Sequence, residues 1–95
     1  MRLTNEQIIA LERIKEELAK PIYKDNPKLN FIKEDNTLDA DYLIYVKINH
    51  ELSNIIIHPD GQLAVSLITN KKRKLIFIDD DEHQYSKAVF YFLQL

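Results

Sequence analysis

The sequence predicts an α+β fold in two layers: an N-terminal helix, an antiparallel sheet of four or five strands built from hairpins, and a C-terminal helix. Three observations carry this. Apolar residues recur at helical spacing near the start, as Ile8, Leu11, Ile14 and Leu18. From Asp41 the period falls to two, with Tyr42, Ile44, Val46 and Ile48 alternating against Leu43, Tyr45, Lys47 and Asn49. Near the end, Tyr85, Val89 and Phe92 return to helical spacing, with Ala88 beside them. A chain of 95 residues, 45% of them hydrophobic, is expected to fold as a single domain, 1–95.

The first helix is expected over about Asn5 to Ala19. Thr4 and Gln7 have capping-box spacing, and Leu3 and Ile8 hold the hydrophobic-staple positions. Glu16 and Lys20 stand four apart in the favourable order. Pro21 forces the residue before it out of the helical region and ends the helix. Residues 21–41 are polar, with a short run Leu29–Lys33 that suits an edge strand and a turn at Asp35-Asn36-Thr37.

A strand is expected from Asp41 and a second over Asn54 to His58. Pro59-Asp60-Gly61 then makes a tight turn, because proline presets φ and glycine accepts the left-handed position. The returning strand runs from Gln62 to Thr69. Asn70-Lys71 turns it into a last strand over Arg73 to Ile78. Asp79, Asp80 and Asp81 offer an N-cap and dipole-matched charge for the closing helix.

Composition excludes several functions. Gly61 is the only glycine, whereas phosphate-cradling loops need several. There is no cysteine, which removes thiol catalysis, thiolate metal sites and disulfides, and fits a cytoplasmic location. A net charge of −2 gives no bulk attraction to nucleic acid or to an acidic membrane. Charged residues interrupt the apolar runs, so neither a leader's hydrophobic region nor a membrane span is expected. Abundant Ile, Lys and Asn fit AT-rich codons, hence a low-GC bacterium or a phage or mobile element within one.

Few residues carry chemistry. The three histidines are His50, His58 and His83. His50-Glu51 lacks the second histidine of a zinc-protease helix, and a His50–His58 pair lacks a third ligand. His58 reads as a solvent-facing hairpin residue. The run Asp79-Asp80-Asp81-Glu82-His83 reads as a helix cap, since side chains leaving such a turn diverge. No catalytic residue, cofactor or metal ligand is assigned, and the chain is expected to be non-catalytic.

The sheet supplies the positive signal. If both helices cover one face, that face can use Ile44, Val46, Ile48, Ile55, Ile57, Leu63, Val65, Leu67, Leu75 and Phe77. The other would carry Leu43, Tyr45, Lys47, Ile56, His58, Ala64, Ser66, Ile68, Ile76 and Ile78. A solvated sheet face alternates to polar residues, and this one does not. It is expected either to bind a protein partner or a second copy, through Leu43, Tyr45, Lys47, Ile56, His58, Ile68 and Ile76, or to be covered by residues 21–41 or by one of the helices. The leading expectation is a small protein-interaction module, of the inhibitor, immunity or accessory-factor kind encoded by phages and mobile elements. The alternative is a nucleic-acid-binding module that uses the basic hairpin tip Lys71, Lys72, Arg73 and Lys74.

Overall fold

The computed structural model describes residues 3–36, 40–48, 51–69 and 71–93. Its elements are α1 (Asn5–Leu18), α2 (Pro21–Lys24), a 3₁₀ turn (Pro27–Phe31), β1 (Ile32–Asn36), β2 (Tyr42–Ile48), β3 (Glu51–Ile57), β4 (Leu63–Thr69), β5 (Lys72–Phe77) and α3 (Gln84–Phe92). The five strands lie side by side in chain order, each antiparallel to the next. The expected α+β architecture is therefore the observed one.

The capping box forms as its spacing requires. Thr4 Oγ1 accepts from the Gln7 N–H at 3.1 Å, and Gln7 Oε1 accepts from the Thr4 N–H at 3.0 Å. At the far end Lys20 is extended, with ψ 145°, as the residue before a proline should be. Pro21 then occupies the first position of α2, where its missing N–H costs nothing.

α1 is rotated from the orientation that its apolar stripe suggests. The buried positions are Gln7, Ala10 and Ile14, with Leu11 and Leu18 packed at the core margin. Ile8 is 42% exposed, so it is not the core residue expected of the stripe. The cause is Gln7. Its side-chain Nε2 donates to the Ala40 carbonyl at 2.7 Å and to the Ile57 carbonyl at 3.0 Å. An inward amide that satisfies two backbone carbonyls outweighs one more isoleucine facing in.

The polar segment after α2 is more ordered than its composition suggests. Asn26 Oδ1 accepts from the Lys28 N–H at 3.0 Å, and Pro27 opens the 3₁₀ turn. The edge strand thus starts at Ile32, three residues later than expected, and pairs with β2 from Ile32↔Val46 to Asn36↔Tyr42. Tyr23 and Leu29 pack into or against the core on the helix side. Tyr23 and Leu29 thus hold the start of 21–41 on the helix side and β1 extends the sheet at its edge, so neither covers the second sheet face.

The hairpin between β3 and β4 follows its turn chemistry. The Gly61 N–H donates to the His58 carbonyl at 2.8 Å, and Gly61 takes φ 86°. A Cβ at Gly61 would also lie 3.1 Å from Glu6 Cβ, so the glycine serves both the turn and the approach of α1. Thr4 Oγ1 completes this contact by donating to the Pro59 carbonyl at 2.6 Å. β3 begins at Glu51, ahead of the expected Asn54, because pairing with β2 extends it through Leu52 and Ser53.

β5 corrects the division of faces. Register pairs Val65 with Ile76 and Ala64 with Phe77. Directly paired residues share a face. Ile76 therefore packs against the core and Ile78 is buried in it, while Leu75 and Phe77 turn to the other side. The expectation had these reversed. Leu75-Ile76-Phe77-Ile78 is a continuous apolar run with no alternation to read, so only the register across Thr69↔Lys72 decides.

α3 begins later than its acidic prelude implies. His83 is the N-cap and makes no side-chain cap bond, so none of Asp79, Asp80 or Asp81 caps the helix directly. Ala88, Val89, Phe92 and the following Leu93 are buried against Ile14, Ile44, Ile55 and Val65. One core thus lies between the helical layer and one face of the sheet.

Two outcomes are expected. Gln7→Leu removes the side-chain donor to the Ala40 and Ile57 carbonyls and the acceptor of the Thr4 N–H, and should cost about 3 kcal/mol in urea unfolding, at roughly 1–3 kcal/mol per buried polar group that loses a partner. Lys71 has φ 64°. Lys71→Gly should raise stability by about 0.5 kcal/mol, the left-handed penalty relieved less the added freedom of the unfolded chain. An unchanged or lower unfolding midpoint would contradict the second expectation.

Candidate interaction surface

The uncovered face can be followed row by row through the register. One row runs Lys33, Tyr45, Asn54, Ser66, Leu75, and the next runs Asp35, Leu43, Ile56, Ala64, Phe77. Strand alternation fixes this side, because Ile55, Ile57, Leu63 and Val65 are fully buried toward the helices. Leu43, Tyr45, Ile56 and Ile68 are partly exposed on the uncovered side, as expected. Phe77 is 64% exposed and Leu75 49%, so the most accessible apolar groups of this face are two that sequence reasoning placed in the core. The length of the turn after β4 was the signal that would have found them.

Of the other expected contact residues, Ile76 lies on the helix side and drops out. Lys47 holds a register position opposite Leu52. His58 stands at the end of this face, where Nδ1 lies 2.9 Å from Asp41 Oδ1. It is a partly buried, paired group and not the free hairpin histidine expected.

The centre of the face is small and polar. Ala64 and Ser66 are 0% and 2% exposed even though they face away from the helices. Larger neighbours screen them. The Arg73 guanidinium donates to Ser66 Oγ at 2.6 Å. Between Tyr45 and Ser66 lies Asn54, 9% exposed, with its Oδ1 buried and without a hydrogen-bond partner.

The basic run does not form one patch. Lys71, Lys72, Arg73 and Lys74 are all exposed. Strand alternation sends Lys72 and Lys74 to one side of the edge and Arg73, held by Ser66, to the other. His50 lies outside the described residues.

The acidic run is spent on local bonds. Asp81 Oδ1 accepts from the His83 N–H at 2.8 Å, and Lys87 Nζ approaches Asp81 Oδ2 at 2.8 Å. Gln84 Nε2 donates to Asp80 Oδ1 at 3.1 Å. Among the described residues no three His, Asp or Glu side chains converge as metal ligands. A cleft of about 360 Å³ lies beside α1 and α3, lined by Glu6, Ile9, Asp60, Asp80 and Tyr85 among others. Asp60 there accepts from the Gln62 N–H at 2.9 Å, so its carboxylate also serves the backbone. A second cleft, of about 270 Å³, lies between Tyr23, Phe90 and Tyr91.

Titration behaviour follows from these contacts. Burial, and then its hydrogen bond to Glu34, pushes the Tyr42 hydroxyl well above the usual phenol range, so it stays neutral. The hydrogen bond from Lys87 and the His83 backbone N–H hold the Asp81 carboxyl below the usual carboxylate range. No described helix is long and apolar enough to cross a membrane.

A depressed carboxylate pKa stabilises the fold above the unfolded-state value near 3.8 and loses that contribution as pH falls through the folded value. Lys87→Met should move the Asp81 titration, followed by carboxyl NMR, up toward its ordinary position. An unmoved titration would show that Lys87 is not its cause. Comparison of the chain with family models, with curated proteins and with solved structures gave no match.

Proposed function

We propose that the chain is a small non-catalytic protein-binding module that works through the sheet face its helices leave uncovered. The observation that carries this is the pair Phe77 and Leu75, 64% and 49% exposed, continuous with Leu43, Tyr45, Ile56 and Ile68 on one side of a five-stranded sheet. Antiparallel sheets that face water alternate to polar residues there. An apolar surface with an aromatic anchor and charges at its edges suits protein recognition. The groups with acid–base chemistry support the same reading by being engaged elsewhere, His58 with Asp41 and Asp81 with Lys87.

The basic residues of the edge strand β5 support a role in steering a partner more than in gripping a phosphate backbone, because their side chains part to opposite sides.

The test is affinity capture with the tagged chain, with and without nuclease, at low and high salt. Protein retained after both treatments is the expected result, because an apolar contact is little screened by salt. Ile56→Asp and Ile68→Asp should each reduce retention at least tenfold while circular dichroism shows a folded chain. Retention that vanishes with nuclease would move the function to Lys71–Lys74 and nucleic acid.

A further inference from the structure

We infer that the occupant of the uncovered face is a second copy of this chain, related to the first by a twofold axis running along β3. This rests on the reading of that face as an interface and adds the identity of the partner.

Asn54 is the first ground. β3 is the middle strand of five, and Asn54 stands near its middle, nine-tenths buried, with an oxygen that no group satisfies. Its neighbours Ile55 and Ile57 face the helices, so Asn54 faces the uncovered side. A twofold along the middle strand brings Asn54 over its own copy. Two asparagine side chains meeting end to end through a hydrogen bond of ~2.9 Å span roughly the ~10 Å between packed sheets. Rotation of the terminal amide exchanges its oxygen and nitrogen, so each copy can donate to the other and accept from it.

Shape is the second ground. Asn54 has Tyr45 on one side and Ser66 on the other, and Ile56 has Leu43 on one side and Ala64 on the other. The same axis lays each Tyr45 over a Ser66 and each Leu43 over an Ala64. Tyr45 and Leu43 thereby lie away from their own copies, as off-axis residues of an isologous interface do.

Area is the third. Five strands at ~4.8 Å and about seven residues at ~3.3 Å make a face of roughly 500 Å², so two faces bury about 1,000 Å², the lower bound for a specific interface.

Sedimentation equilibrium of the full chain should show a concentration-dependent rise from the 11.2 kDa monomer toward twice that mass in the micromolar range. The axis is tested by cross-linking. The chain has no cysteine, so Lys33→Cys and Leu75→Cys each add one thiol, at exposed positions on opposite edges of the Asn54 row. A short bis-maleimide should join a mixture of the two variants several-fold more efficiently than either variant alone. A wild-type chain that stays monomeric, or cross-links equal in the mixture and the single variants, would overturn the inference. If the wild type is monomeric yet retains a different protein that Ile56→Asp loses, the second copy is excluded and the interface reading survives. If it is monomeric and retains none, both fall.

Discussion

The side chain of Gln7 holds the two layers in relation to each other. It is 1% exposed, accepts from the Thr4 N–H, and donates to carbonyls at Ala40 and Ile57. Three separate parts of the chain therefore meet at one amide: the start of α1, the approach to β2 and the end of β3. Ala40 lies at φ 67°, a conformation that disfavours any residue with a Cβ. The bond from Gln7 helps to keep it there. Beside this amide, Thr4 reaches the Pro59 carbonyl and Glu6 packs on Gly61. The N-terminus of α1 is thus clamped to one hairpin turn, and the helix lies on one face of the sheet only.

That one-sided placement separates the two faces energetically. Ile44, Ile55 and Val65 in the middle strands meet Ile14, Val89 and Phe92 and lose nearly all contact with water. On the reverse side the same strands carry Leu43, Tyr45, Ile56 and Ile68, only partly screened by one another. The reverse side is too apolar to be explained by solubility and too polar at Asn54 and Ser66 to be an ordinary core. This mixture is the basis for reading it as a surface that meets another chain.

Much of the fold was legible in the sequence, because local chemistry determines it. The Thr4–Gln7 box, the proline at 21 and the turn at Pro59-Asp60-Gly61 each act within a few residues, and each formed as its chemistry demands. The misreadings share one cause, a dependence on partners distant in the chain. Gln7 faces inward because of Ala40 and Ile57, which no helical periodicity announces. Ile76 and Phe77 sort themselves by pairing with Val65 and Ala64, not by hydropathy. Asp79 to Asp81 resemble a cap but spend their bonds on one another's neighbourhood and on Lys87. For the candidate surface, Leu43, Tyr45, Ile56 and Ile68 were readable from alternation. Phe77 and Leu75 were not, since an unbroken apolar run carries no parity.

The meander also bears on how the chain assembles. Every strand neighbours the next in sequence, so the sheet closes only short loops. The contacts of α1 with Ile57 and Pro59, by contrast, join residues 50 and 55 apart. Formed first, those contacts would carry the entropy of a long loop. Formed after the sheet, they require only that residues 19–31 bring the helix back, which raises its effective concentration over the sheet. The short α2 and the 3₁₀ turn shorten that tether further. Chain entropy thus favours a sheet that condenses by itself and a helix that arrives on a short leash.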